Sequence, residues 1–182
     1  MAKTMKIMAI TALVLTILFS FLYSFADMGV FFSLAITAGT ISYHFIIRLL
    51  IGYLIDKIMD NKADYTKRWF RVGEKEMKLY RILKVKKWKD KMPTYDMDVF
   101  DTSKHTWEEI VQAMCQSELV HETNVLFSFL PIFASVWFGS FGVFLVTSLL
   151  SAAFDLMFVF MQRFNRCRIL KIKARVWERR GG

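Results

Sequence analysis

Thr106-Trp107-Glu108-Glu109-Ile110-Val111-Gln112-Ala113-Met114-Cys115-Gln116-Ser117-Glu118-Leu119-Val120-His121-Glu122 is the stretch on which the reading of this chain depends. Trp107, Ile110, Val111 and Met114 recur at i, i+3, i+4 and i+7, the spacing of one helix face. Continued with the same period, that face reaches Glu118, His121 and Glu122, just before an apolar run opens at Val125. Three ionisable groups thus stand on a stripe that should be buried, where a charge is costly unless it is paired. Thr106 followed by Glu109 is the pattern of a capping box and predicts where the helix begins.

The rest of the chain explains what that helix runs into. With 55% hydrophobic residues, 18 Phe and 11 Met among 182 residues, the composition is too apolar for a soluble domain and predicts an all-α integral membrane protein. Hydropathy gives four spans, at about 7–25, 30–55, 125–138 and 143–161. The third is short unless the helix from Trp107 feeds straight into it. Asp27-Met28-Gly29 and Gly139-Ser140-Phe141-Gly142 read as tight turns, so the spans are expected to pair as two hairpins in a single membrane domain.

Neither turn carries Lys or Arg. The cations fall on Lys3 and Lys6, on the loop 56–122 with 14 Lys and Arg, and on the tail 162–182. That asymmetry predicts a multi-pass cell-membrane protein with both termini and the long loop in the cytoplasm. A competing reading takes Lys3, Lys6, the first apolar run and Ser24-Phe25-Ala26 as a signal peptide, whose cleavage would leave three spans.

The loop divides by charge. Residues 62–91 hold 12 basic and four acidic side chains, interleaved with aromatics that include Tyr65, Trp69, Tyr80 and Trp88. Such a segment suits a helical layer on anionic headgroups, serving topology alone or also gathering an anionic substrate. Pro93 is expected to end it, and residues 94–101 to form an irregular loop. A nucleic-acid partner is not expected of a membrane-tethered chain without a recognisable module. Cys115 and Cys167 lie far apart, without the spacing of a zinc site or a disulfide framework.

The polar constellation suggests chemistry. Glu118 and His121 at i, i+3 share a helix face, where a carboxylate can orient one imidazole nitrogen and leave the other as a base. The same pair also fits a structural contact at a membrane boundary. His44 and Asp155 could complete a mononuclear metal site, although no metal is expected. His44 and Arg48 are i, i+4 on the second span, and Asp155 lies on the fourth. Charges at that depth mark a substrate site or simply pair with one another. Gln162, Arg163, Asn165 and Arg166 leave the membrane together, presenting amides beside guanidinium forks suited to phosphate or carboxylate.

Several blocks are also similar to a known family. Trp69-Phe70-Arg71, Tyr80, Lys87-Trp88-Lys89-Asp90-Lys91-Met92-Pro93, Glu118-Leu119-Val120-His121 and Gln162-Arg163-Phe164-Asn165-Arg166 occur in the order seen in the glycosyl-4,4′-diaponeurosporenoate acyltransferases. These small bacterial membrane enzymes attach a fatty acyl chain to the sugar of a carotenoid glycoside. Asp155, Met157 and Phe164 depart from the family pattern, which carries Asn, Pro and Tyr there.

The resemblance implies a membrane acyltransferase of carotenoid biosynthesis. His121 would be its general base and Glu118 the orienting acid, with Arg163, Asn165, Arg166, Gln162, His44, Arg48, Asp155 and Trp88 as substrate contacts. The expected partners are membrane lipids and a hydrophobic acceptor lipid, the expected co-substrate an acyl thioester, and no tightly bound cofactor is expected. A non-catalytic four-span protein binding lipid or a partner enzyme, and a metal-dependent lipid enzyme, are the alternatives the residues also admit.

Overall fold

The computed structural model describes residues 2–88, 100–101 and 103–179. The expected loop at 94–101, Pro93 and most of the Lys87–Pro93 block lie largely outside the described residues. Among the described residues all regular structure is helical: α1 (Ala2–Ala26), α2 (Gly29–Met59), α3 (Glu74–Ile82), α4 (Trp107–Phe127), α5 (Pro131–Phe138) and α6 (Phe141–Arg179). Short 3₁₀ turns stand at Arg68–Phe70 and Val85–Lys87.

Among the described residues four stretches are long and apolar enough to cross a bilayer: Lys3–Ala26, Gly29–Met59, Trp107–Phe138 and Phe141–Arg175. The third of them joins α4 to α5, as a short apolar run requires if it is to reach across. The capping box forms as the spacing predicts: the Thr106 amide donates to Glu109 Oε2 at 2.7 Å and the Glu109 amide to Thr106 Oγ1 at 3.3 Å. The turns after α1 and α5 use left-handed backbone, with Asp27 at φ 48° and Ser140 at φ 52°. Gly139, at φ 63° and ψ −143°, occupies a conformation suited to glycine alone.

The chain forms two compact units, Met1–Tyr53 with Thr123–Asp155 and Leu54–Glu122 with Leu156–Gly182. In the first unit, small side chains let α1 and α2 approach closely: Ala9, Ala12, Ala35, Ala38 and Ser42 are buried, and Ser42 Oγ donates to the Ala9 carbonyl at 3.1 Å. Large apolar side chains on the same helices, among them Ile10, Ile17 and Phe21, are exposed, as lipid-facing residues must be. Pro131 explains the break between α4 and α5. Lacking an N–H, it cannot give the Phe127 carbonyl the i+4 bond of an α-helix, and that carbonyl accepts instead from the Leu130 amide at 3.2 Å and from Tyr43 Oη at 3.0 Å.

The second unit is built around two apolar clusters. Met77 and Tyr80 of α3 pack with Val85 and with Phe158, Met161 and Phe164 of α6. Ala63, Phe70 and Cys115 form the other, with Leu119 against it. Among the described residues, the basic segment expected to form a helical layer is α-helical over α3 and has 3₁₀ turns on either side of it. Gly73 caps its start, and Lys84 in left-handed backbone at φ 54° ends it. Gln116 ties α4 to the end of α2, donating to Asp56 Oδ1 at 2.9 Å and accepting from the Asn61 amide at 2.7 Å.

Candidate active site

Glu118 is fully buried on α4, and both of its oxygens are engaged by α6. Oε1 accepts from Arg163 Nη1 at 2.5 Å, and Oε2 pairs with Arg166 Nη1. The i, i+3 spacing of Arg163 and Arg166 places their guanidinium groups on one helix face, one for each oxygen of the carboxylate. Other donors of the two arginines are also used. Arg163 Nε binds Glu76 Oε1 at 2.5 Å, and its other nitrogens reach the Trp69 and Arg71 carbonyls at 3.2 Å. Arg166 Nη2 donates to the Phe70 carbonyl at 2.7 Å, and its guanidinium lies over the Phe70 ring at 5.2 Å.

The carboxylate that spacing offers to His121 carries a guanidinium group on each oxygen. Arg163, read from the sequence as a fork open to a substrate, spends all five of its N–H donors on Glu76, Glu118 and backbone carbonyls, while Arg166 is fully buried against Glu118 and the Phe70 carbonyl. Their fork geometry serves to lock α4, α6 and the Trp69–Arg71 segment together.

His121 is half-buried and lies flat against Phe158 of α6, with ring centroids 4.5 Å apart and planes 7° from parallel. Its neighbour Glu122 accepts from Trp69 Nε1 at 2.8 Å and stands 3.9 Å from Arg163. Gln162 is buried and donates to Ser117 Oγ at 3.1 Å. Asn165 is half-buried on α6. Trp88 is partly buried and packs against the cluster around Tyr80.

Glu76 was hidden among the cations of its segment, although its i, i+4 spacing with Tyr80 was a usable signal. Tyr80 Oη donates to Glu76 Oε1. Burial pushes the Glu76 carboxyl up, but hydrogen bonds from Arg163 and Tyr80 and the guanidinium charge outweigh it and hold it below the ordinary value. Burial, and then the bond to Glu76, raises the Tyr80 phenol well above its ordinary range.

His44, Arg48 and Asp155 belong to the other unit. Arg48 meets Asp155 Oδ2 through Nε at 3.0 Å and Nη2 at 2.7 Å, and Nη2 also reaches Ser151 Oγ at 2.8 Å. Ser151 Oγ is 2.9 Å from Ser128 Oγ. The pairing that buried opposite charges at this depth allow is formed. His44 differs: it is 5% exposed and both ring nitrogens lack a hydrogen-bond partner, as do Asn124 Oδ1 and Ser148 Oγ in the same unit. Among the described residues no group of three His, Cys, Asp or Glu side chains is arranged to hold a metal ion.

The sequence profile of the glycosyl-4,4′-diaponeurosporenoate acyltransferases matches residues 61–175. That span takes in α3, α4, α5 and nearly all of α6, and with them the whole Glu76–Arg163–Glu118–Arg166 network and the His121–Phe158 stack. No curated protein and no solved structure matches the chain. The chain belongs to the glycosyl-4,4′-diaponeurosporenoate acyltransferase family and is a membrane acyltransferase of carotenoid biosynthesis that acts on a glycolipid.

Proposed function

We propose that the enzyme moves a fatty acyl chain from a thioester donor to a sugar hydroxyl of a carotenoid glycoside, with His121 as general base. The observation that carries this reading is the ring of His121 laid flat on Phe158 at 4.5 Å, which fixes the imidazole plane while leaving its nitrogens at the ring edge. The imidazole takes the hydroxyl proton as the oxygen attacks the thioester carbonyl. Collapse of the tetrahedral adduct breaks the C–S bond, and the proton passes from His121 to the departing thiolate. Glu118 is a positioning residue here. By binding Arg163 and Arg166 it joins α4 to α6, and α6 carries Phe158 under the ring.

His44, with two unpartnered nitrogens, offers a donor and an acceptor to acceptor hydroxyls within the unit of α1 and α2. Asn165 supplies an amide for the developing oxyanion. The charge asymmetry of the turns and loops supports two hairpins with both termini and the segment 56–122 in the cytoplasm, where a water-soluble donor and a lipid acceptor can meet.

The test is His121→Phe, which keeps a flat ring against Phe158. Membranes containing the variant, assayed by lipid mass spectrometry for the acylated glycolipid, should show turnover reduced by about 10²-fold or more at unchanged folded yield. Turnover near wild type would remove His121 from the mechanism.

A further inference from the structure

The unit Leu54–Glu122 with Leu156–Gly182 contains a cavity of about 480 Å³ that the site above does not use. Its apolar wall is Met77, Tyr80 and Phe164, all buried in the cluster that also holds Phe158. Six cations stand around it: Arg81, Lys84, Lys86 and Lys87 at the end of α3, and Arg168 and Lys171 on α6. The left-handed backbone at Lys84 folds the first group back on itself, so that cations on both sides of the turn face one space. Arg168 is held over the Phe164 ring at 5.7 Å. No acidic residue lines the cavity, and among the described residues none of the six cations is paired with a carboxylate.

We propose that this cavity binds the phosphates of a coenzyme A thioester, the acyl donor. The proposal rests on the thioester-donor reading above and adds to it where the donor is held. Arg163 has no donors to spare and Arg166 is fully buried, so the anionic head of a donor needs other cations, and the six around this cavity have no carboxylate partner among the described residues. Charge separates the candidate anions. A coenzyme A carries about four negative charges, from one phosphomonoester and one diphosphate, whereas a phospholipid phosphodiester carries one. Six cations on one rim match the former. The cavity volume lies in the range of small-ligand sites, and its aromatic and thioether wall suits the uncharged pantetheine arm.

The experiment uses the full-length protein in detergent, titrated calorimetrically with coenzyme A, with inorganic phosphate and phosphatidylglycerol-containing micelles as competitors. Wild type should bind coenzyme A, and the exposed pair Lys86→Ala/Lys87→Ala should weaken that binding by about tenfold or more. The same variant should raise KM for acyl-coenzyme A with kcat little changed, and Lys86→Arg/Lys87→Arg should restore both. Phe substitution of His121 should abolish turnover yet leave coenzyme A binding intact, so a failure of the base assignment is read separately.

Wild-type affinity in the Lys86/Lys87 alanine variant would overturn the proposal, whatever His121 does. So would absence of coenzyme A binding to wild type, or its complete displacement by phosphatidylglycerol micelles at equal concentration.

Discussion

Glu118 and Arg166 form an ion pair in which the two side chains are 0% and 1% exposed, with Arg163 on the other carboxylate oxygen. Removing one member strands the others without water. Glu118→Gln and Arg166→Met should each destabilise the fold by about 3–5 kcal/mol, while the double variant loses much less than the sum. Thermal unfolding in detergent, run as a double-mutant cycle, measures this. Additive losses would mean that the pair is not coupled.

Arg48 and Asp155 make the corresponding bridge in the other unit, the aspartate fully buried and the arginine 12% exposed. Asp155→Leu alone should cut folded yield and lower the unfolding midpoint, because Arg48 loses its carboxylate and keeps Ser151, the His44 carbonyl and the Phe154 ring. Arg48→Met in the same chain should recover most of the loss, as judged by size-exclusion profiles.

Tyr43 supplies the hydrogen bond that Pro131 cannot. Tyr43→Phe is expected to destabilise the native chain by about 1 kcal/mol, since it removes one of the two hydrogen bonds to the Phe127 carbonyl and leaves the Leu130 amide as its partner. In a Pro131→Ala background the helical amide at position 131 can take over, and the same substitution should then have little effect. Unfolding midpoints of the four chains give the coupling.

Glu76 predicts an acid limb. Its folded carboxyl sits below the ordinary value of 4.5, so it binds protons less readily folded than unfolded. The stability this contributes is complete above about pH 4.5 and is lost as pH falls through the lower folded value. Unfolding midpoints measured from pH 3 to 7 should fall more steeply below pH 4.5 for wild type than for Glu76→Gln. Parallel curves would show that Glu76 does not set the limb.

Much of this was legible in the sequence because it depends on local patterning. The four apolar stretches, the Thr106–Glu109 capping box and the merging of α4 with the third span all follow from composition and helical period. The bridge between Arg48 and Asp155 was legible as one of two alternatives, since buried opposite charges seek each other. What spacing could not show is competition. Glu118 has His121 one turn away on its own helix, but its spacing gives no sign of the two guanidinium groups that arrive from α6, one for each carboxylate oxygen. Glu76 was obscured for a related reason: one acid among many cations looks like surface, and only tertiary structure shows which cation it meets.

The pairing of Glu118 with arginines also orders the making of the protein. The carboxylate is separated from Arg163 by 45 positions and from Arg166 by 48, and both arginines are synthesised after it. Until α6 leaves the ribosome, α4 carries a charge that cannot be buried without its partners. The interior of this unit therefore closes only behind the last helix, and a chain interrupted before Arg166 exposes an unneutralised acid to the cell's quality control.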